Sequence, residues 1–570
     1  MSYAAQTSAT LVTTGMLPTL MIAAAALTAP VSVFLLWLYR RAVVRSMKGE
    51  AGGAAPLAGL ASDAPAPPGA SLTLRWTDAA TLDAAAPPAY LHALRSLRSA
   101  LVVYALAGLA YALVLTSAWF AFTRDDGFVL SRFLWLLSCY AWPTALALGM
   151  IGAVSRGQRV LVGVAYFAML FAVAIYGLAR NEELSPASLI FFWLFTNLPA
   201  TVLLLAFLHR RVRAVGPLVL SFMVTAVIGS QILLSALASS DTSLRGAVAV
   251  GSMFGFGGTQ TFFAIMLIGF ALAGVVGWWL LKRIGARYQR RRMSDQSLIL
   301  DAMWLLFGVV QSITLAFEGW AWIFTGLVAF AVYKVVTTLG FSLTRVAEPN
   351  GATPTLLLLR VFALGNRSER LFDALSKRWL RAGPISMIAG PDLVTSTVEP
   401  HEFLDFVGGD LSRQFVRGGD DLGARLSAME RGPDPDGRYR VNEFFCYADT
   451  WKDTMKALAA GADAVLMDLR SFSPFNRGCI FELQQLLDAV PLSRVVFLTD
   501  DATDRAFLEE TLRDAWKRIR SDSPNRRIPA AEASLLRVPS QHAADVRGLL
   551  KLLFGGAVAI GRAGSVHAPA

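Results

Sequence analysis

Apolar positions along the first 343 residues gather into long runs, and beyond residue 353 they break into short runs alternating with amphipathic stretches. Nine runs of about 20 residues, at 17–39, 100–122, 133–154, 160–179, 189–208, 215–238, 261–281, 298–316 and 321–343, are long enough to cross a hydrocarbon core of roughly 30 Å. The last two are separated only by residues 317–320 and can instead form one re-entrant hairpin. The first run lacks a basic leader and is followed by Arg40 and Arg41, which marks an anchor and not a cleaved signal peptide. The expected organisation is therefore an N-terminal span with its basic anchor (1–46), an Ala/Gly/Pro-rich flexible linker (47–97), a multi-span region (98–343) and a separate C-terminal domain (344–570). Residues 72–76 could form a short strand within the linker.

In the C-terminal part, LLLLRVF at 356–362, 385–389, AVLMD at 464–468, RVVFL at 494–498 and 534–538 read as five buried strands. Amphipathic helices fall between and after them, at 368–380, 400–415, 450–460, 479–490, 503–520 and 541–554. Residues 418–437 read as a polar insertion, and Arg438, Tyr439 and Arg440 lead into an edge strand. Such alternation predicts a parallel sheet covered by helices on both faces. Functional groups in such sheets lie beyond the strand C-termini, near the point where strand order reverses.

Composition fits this division. The chain is 55% hydrophobic and only 16% charged, against roughly 25% for soluble domains. Its net charge of +11 sits wholly in the apolar part: 23 Lys+Arg against 12 Asp+Glu in residues 1–343, and 29 of each thereafter. With the N-terminus outside, 18 basic residues fall in inner loops and four (Arg124, Arg132, Arg180 and Arg245) in outer ones. The positive-inside rule then places the C-terminal domain in the cytoplasm, facing away from the outer side of an inner or plasma membrane. A neutral domain is a poor nucleic-acid binder, so no nucleic acid is expected. Cys139, Cys446 and Cys479 are too few for a disulfide scaffold, and no Cys/His spacing points to a metal. Asp301 and Lys334, the main ionisable groups inside the apolar runs, lie near run ends where they can snorkel or pair with each other. The glycine-rich stretch 251–258 reads as an outer loop or packing motif.

The loop after the third expected strand, Asp468 to Leu483, carries the sharpest motif: Arg470-Ser471-Phe-Ser473, then Arg477-Gly478-Cys479-Ile-Phe-Glu482-Leu483. Cys479-x-x-Glu482-Leu483 after a Ser-rich loop resembles the TIR-domain superfamily. Gly478-x-x-x-Glu482 resembles its nucleoside deoxyribosyltransferase relatives. The resemblance implies a five-stranded TIR-like α/β domain fused to a bacterial-type polytopic region. It also implies a glutamate, Glu482, that engages the ribose at an N-glycosidic bond, with NAD or a related nucleotide as substrate and no bound cofactor. Because TIR-like catalysis often depends on assembly, it further implies a homo-oligomer.

The chemistry is coherent: N-glycoside cleavage passes through an oxocarbenium-like state that a nearby carboxylate can stabilise or trap. Arg470 and Arg477 are candidates for binding phosphate or compensating Glu482, and Ser471 and Ser473 belong to the same loop. Arg367, after the first strand, can meet a phosphate at a helix start, or can simply follow a turn capped by Ser368. Asp392, after the second strand, is a candidate for a ribose hydroxyl. The bland reading of Glu482 is a carboxylate favoured by a helix macrodipole, and that of Cys479 is a small buried residue. Asp500 and Asp501 read as solvated loop residues or a metal pair. Three functions stay open at this point: a membrane-anchored nucleotide N-glycosidase, a signalling adaptor binding partners or nucleotide without turnover, and a transporter with a regulatory domain.

Overall fold

The computed structural model describes all residues except 1, 50–70, 79–86, 123–126, 154–155, 181–184, 197, 210, 239, 317–323, 349–352, 362–365, 529, 539–545 and 565–570. The chain divides into two compact units, one formed by 1–37, 101–344 and 398–404, the other by 38–100, 345–397 and 405–570.

The first unit is helical. Among the described residues seven helices are long and apolar enough to cross a membrane: Ala23–Met47, Pro88–Ala121, Leu130–Gly152, Gly157–Arg180, Gly216–Ala238, Gly258–Gln289 and Thr325–Thr344. Seven of the nine expected runs thus appear as spans by length and composition. The fifth is covered by Pro186–Thr196 and Leu198–Phe207, and the eighth by Asp295–Ala316, which carries Asp295 and Asp301. Residues 317–320, on which the hairpin reading turned, lie outside the described residues. The outer faces expose large apolar side chains such as Phe171, Leu272 and Val275, an arrangement that water would penalise and a bilayer accepts. A bilayer supplies little hydrophobic drive between helices, so small residues bring them together. Gly229 lies against Ala273, Gly269 against the Ser230 backbone, and Gly308 against Gly326. At the last crossing the Gly326 amide donates to Ser312 Oγ (2.7 Å). Asp301 and Lys334 do pair, at 2.7 Å, joining the helices Asp295–Ala316 and Thr325–Thr344. The stretch 251–258, expected as a loop or packing motif, is partly helical: a further helix, Asp241–Met253, takes in its first three residues and Gly258 opens the next.

Among the described residues the second unit is built on a parallel sheet of eight strands, not five. They are β1 (Ser71–Asp78), β2 (Leu356–Arg360), β3 (Ile385–Ile388), β4 (Phe415–Val416), β5 (Val441–Cys446), β6 (Ala464–Asp468), β7 (Val495–Thr499) and β8 (Ala530–Arg537), in the order β1-β8-β7-β6-β2-β3-β5-β4. The five expected strands are β2, β3, β6, β7 and β8. The stretch expected as flexible linker supplies β1, which pairs with β8 along all eight residues, from Ser71 opposite Ala530 to Asp78 opposite Arg537. Its alternation of exposed and half-buried positions suits an edge strand, and Leu72, Leu74 and Trp76 pack on the core. Residues 438–440 do lead into a strand, β5, but β4 pairs outside it and takes the edge. The stretch expected as a polar insertion contains the helix Gly419–Ser427. The expected helix 400–415 stops at Val407, where Gly409 (φ +84°) turns the chain.

Alternate residues of the strands feed two apolar layers. Leu357, Leu359, Val465, Met467 and Phe497 face one, against the helices Trp451–Ala460, Arg477–Ala489 and Arg505–Lys517. Leu356, Leu358, Leu466, Val496 and Leu498 face the other, against Asn366–Trp379 and Val546–Gly564. This double cover explains the continuous apolar runs LLLL and VVFL. From β2 the chain builds towards β4 on one side, then crosses back to β6 and builds towards β1 on the other. The reversal of strand order therefore lies between β2 and β6.

Candidate functional site

Two polar constellations occupy the C-terminal edge of this sheet. The first surrounds Glu482. The helix Arg477–Ala489 starts two residues earlier than its apolar spacing predicts, so Glu482 is its sixth residue, beyond the first turn where the macrodipole acts. Glu482 is 4% exposed, and its Oε2 has no hydrogen-bond partner. Burial, opposed by the Arg360 guanidinium, pushes its carboxyl up to about 8, so it is held protonated at neutral pH. Arg360 ends β2 and is itself buried, with Nε and Nη2 each 3.1 Å from the two oxygens of Asp392. Asp392, the residue proposed from sequence for a ribose hydroxyl, is thus the bidentate partner of Arg360.

Glu443, in the middle of β5, is a second acid in this group. Neither of its buried oxygens has a hydrogen-bond partner. Thr397 donates its hydroxyl proton to the Leu393 carbonyl (3.0 Å). Burial raises Glu443 against the pull of Arg360. One guanidinium therefore serves three carboxyl groups, and its hydrogen bonds go to Asp392 alone among them. Burial and the neighbouring Glu482 raise the Cys479 thiol, which leaves it a protonated, buried side chain.

Glu482 lines a cavity of about 460 Å³ within this unit. Tyr447, Trp451 and Phe475 supply aromatic surface to it, and the exposed Arg477 reaches it from the start of the helix. Phe475 is 92% exposed, so its ring is open to the solvent side of the cavity.

The second constellation ties together the segments following β2, β6 and β7. Arg470 gives its Nε and Nη2 to Asp468 (2.7 Å each) and donates from Nη2 to the Arg367 carbonyl (3.2 Å). Arg367 pairs with Asp500 and donates to Ser471 Oγ (3.0 Å). Ser471, at φ +58°, donates its amide to Asp500 (3.0 Å). Burial alone would raise Asp500, but the Ser471 amide, Arg367 and Thr503 outweigh it and hold the carboxyl below its usual range. Ser473 donates its amide and hydroxyl to Asn476 Oδ1, which shapes the entry to the Glu482 helix. Asp501 pairs with Arg537 at the surface.

Of the residues proposed from sequence, Glu482 and Arg477 share the cavity. Arg470, Ser471 and Arg367 share the ion-pair cluster, Ser473 braces the loop, and Asp392 binds Arg360. The loop 362–365, including Gly365 before Arg367, lies outside the described residues. Sequence reasoning passed over Arg360, Glu443, Tyr447, Trp451 and Phe475. The first two did carry a signal, since each is a charge inside an apolar strand run, LLLLR and VNEFFC. No protein-family model, curated protein or solved structure matches the chain.

Proposed function

We propose that this is a membrane-anchored TIR-like enzyme that hydrolyses the N-glycosidic bond of NAD or a related nucleotide. In this reading nine spans hold the chain in an inner or plasma membrane, with the N-terminus outside and the α/β domain in the cytoplasm. Copies of that domain assemble into a homo-oligomer. The observation that carries the reading is a buried glutamate with an unpartnered oxygen on the wall of a cavity that also offers aromatic rings and an arginine. A nucleobase stacks on the rings, a phosphate meets Arg477, and the ribose lies towards Glu482.

The raised carboxyl suits a cationic substrate. The nicotinamide ring of NAD is positively charged, and its arrival beside neutral Glu482 favours release of the proton. The C1′–N bond then breaks, and its electron pair leaves with nicotinamide. The ribosyl cation faces the new carboxylate, water adds at C1′, and the proton it loses passes to Glu482 or to solvent. The full-length chain in lipid nanodiscs is expected to release nicotinamide from NAD, measured by chromatography. Glu482→Gln is expected to lower that rate about 100-fold or more. An unchanged rate in Glu482→Gln overturns the assignment of Glu482, and absence of turnover on any pyridine nucleotide overturns the reaction.

A further inference from the structure

The membrane unit contains a cavity of its own, of about 490 Å³, within the range of roughly 300–1,000 Å³ usual for ligand sites. Four helices line it: the start of Gly216–Ala238, the end of Gly258–Gln289, the first two thirds of Asp295–Ala316 and the middle of Thr325–Thr344. Arg292 and Met293, in the turn between the second and third of these helices, also line it, which sets the cavity towards that end of the bundle. That end carries the basic stretch Lys282–Arg292.

Its lining is divided. Ile284, Leu305 and Phe330 stand for a wall that is chiefly aliphatic and aromatic, while Arg287, Arg292, Lys334 and Asp301 supply the charge. Asp301 is taken by Lys334 at 2.7 Å. Arg287 also faces Asp301 electrostatically, but among the described residues neither Arg287 nor Arg292 makes an ion-pair contact with a carboxylate. Three cations against one carboxylate in the lining of an apolar cavity, at the basic end of a membrane-type bundle, call for a ligand that is anionic at one end and hydrocarbon at the other.

We infer that this cavity binds an acidic phospholipid of the surrounding bilayer, its phosphate held by Arg287 and Arg292 and its acyl chain against the Ile284, Leu305 and Phe330 wall. Charge complementarity selects the occupant: a zwitterionic lipid brings a cation of its own towards the two arginines, and free phosphate leaves the apolar wall unfilled. The site is independent of the NAD reading, because no residue of the Glu482 cavity takes part.

The test uses the full-length chain in a neutral detergent. It is titrated with phosphatidylglycerol, phosphatidylcholine or inorganic phosphate, and bound lipid is read by native mass spectrometry together with the shift in thermal midpoint. Phosphatidylglycerol is expected to bind and to raise the midpoint, and the other two are not. The double variant Arg287→Gln/Arg292→Gln is expected to bind phosphatidylglycerol about 30-fold more weakly. Leu305→Trp, which fills the cavity and leaves both arginines in place, is expected to weaken it as well. Equal binding of phosphatidylglycerol and phosphatidylcholine, a midpoint shift by phosphate matching that of the lipid, or wild-type affinity in the double variant overturns the inference.

Discussion

Glu482→Gln is expected to stabilise the α/β domain, and to do so in a pH-dependent way. The wild-type carboxyl titrates at about 8 when folded, against an ordinary value of 4.5. Below pH 4.5 it is neutral in both states and costs nothing. Between the two values the unfolded chain has released the proton while the folded one retains it, so folding must take up a proton. Stability then falls as pH rises, by about 1.4 kcal/mol per pH unit, and levels off above about pH 8. At pH 7 the deficit reaches about 3 kcal/mol, a large part of the roughly 5–15 kcal/mol that keeps a domain folded. Glutamine fills the same space without a charge to bury. Hydrogen exchange of the full-length chain in detergent, read by mass spectrometry on peptides covering β6 and Arg477–Ala489 and corrected for intrinsic rates, measures the difference. Protection in the variant should match wild type near pH 4.5 and exceed it by about 100-fold at pH 7. A difference that stays flat from pH 5 to pH 8 refutes the reasoning, since the Glu482 carboxyl would then titrate alike in both states. Glu443→Gln serves as the control for the second buried acid.

Arg470→Ala leaves Asp468, 1% exposed, without its counter-charge, and should cost about 3–5 kcal/mol in denaturant unfolding of the α/β domain. A change confined to substrate KM would instead mark Arg470 as a ligand contact. Gly326→Leu drives a side chain into the Gly308 carbonyl, so it should lower the thermal midpoint of the detergent-solubilised chain, whereas Gly163→Leu, where a Cβ meets nothing, should not. Deleting residues 71–78 bares the β8 edge, and should produce concentration-dependent association in size-exclusion chromatography. Asp392→Asn withdraws the charge that Arg360 holds most closely. Glu443 should then ionise at lower pH, a shift that infrared spectroscopy of the carboxyl band can follow.

Hydrophobic pattern alone told long apolar helices from the short strand runs of a parallel sheet, because burial in lipid and burial between two helical layers each leave a characteristic run length. Five of the eight strands were legible for that reason. β1 was legible only as a possible short strand at 72–76 within a linker, because SLTLRWTD beside Ala/Pro-rich stretches has no visible partner until β8 offers it an edge more than 450 positions away in the sequence. β4 has two residues, too few for any periodicity to register.

At the site, local spacing placed Glu482 on a helix after β6, next to the reversal of strand order. Spacing could not say which charges would meet. Arg360, Asp392 and Glu443 come from β2, the β3 loop and β5, and only strand pairing brings them together. The raised carboxyl of Glu482 depends on that meeting and on the burial it creates. The pairing of Arg367 with Asp500, 133 positions apart, depends on strand order too, whereas Arg470 and Asp468 are neighbours in the chain and pair locally. Sequence thus determined which segments are apolar, where they reverse and which residue types are present. Tertiary structure decided which carboxyl groups lose water and which guanidiniums they share, because desolvation and pairing act through space between groups that are distant along the chain.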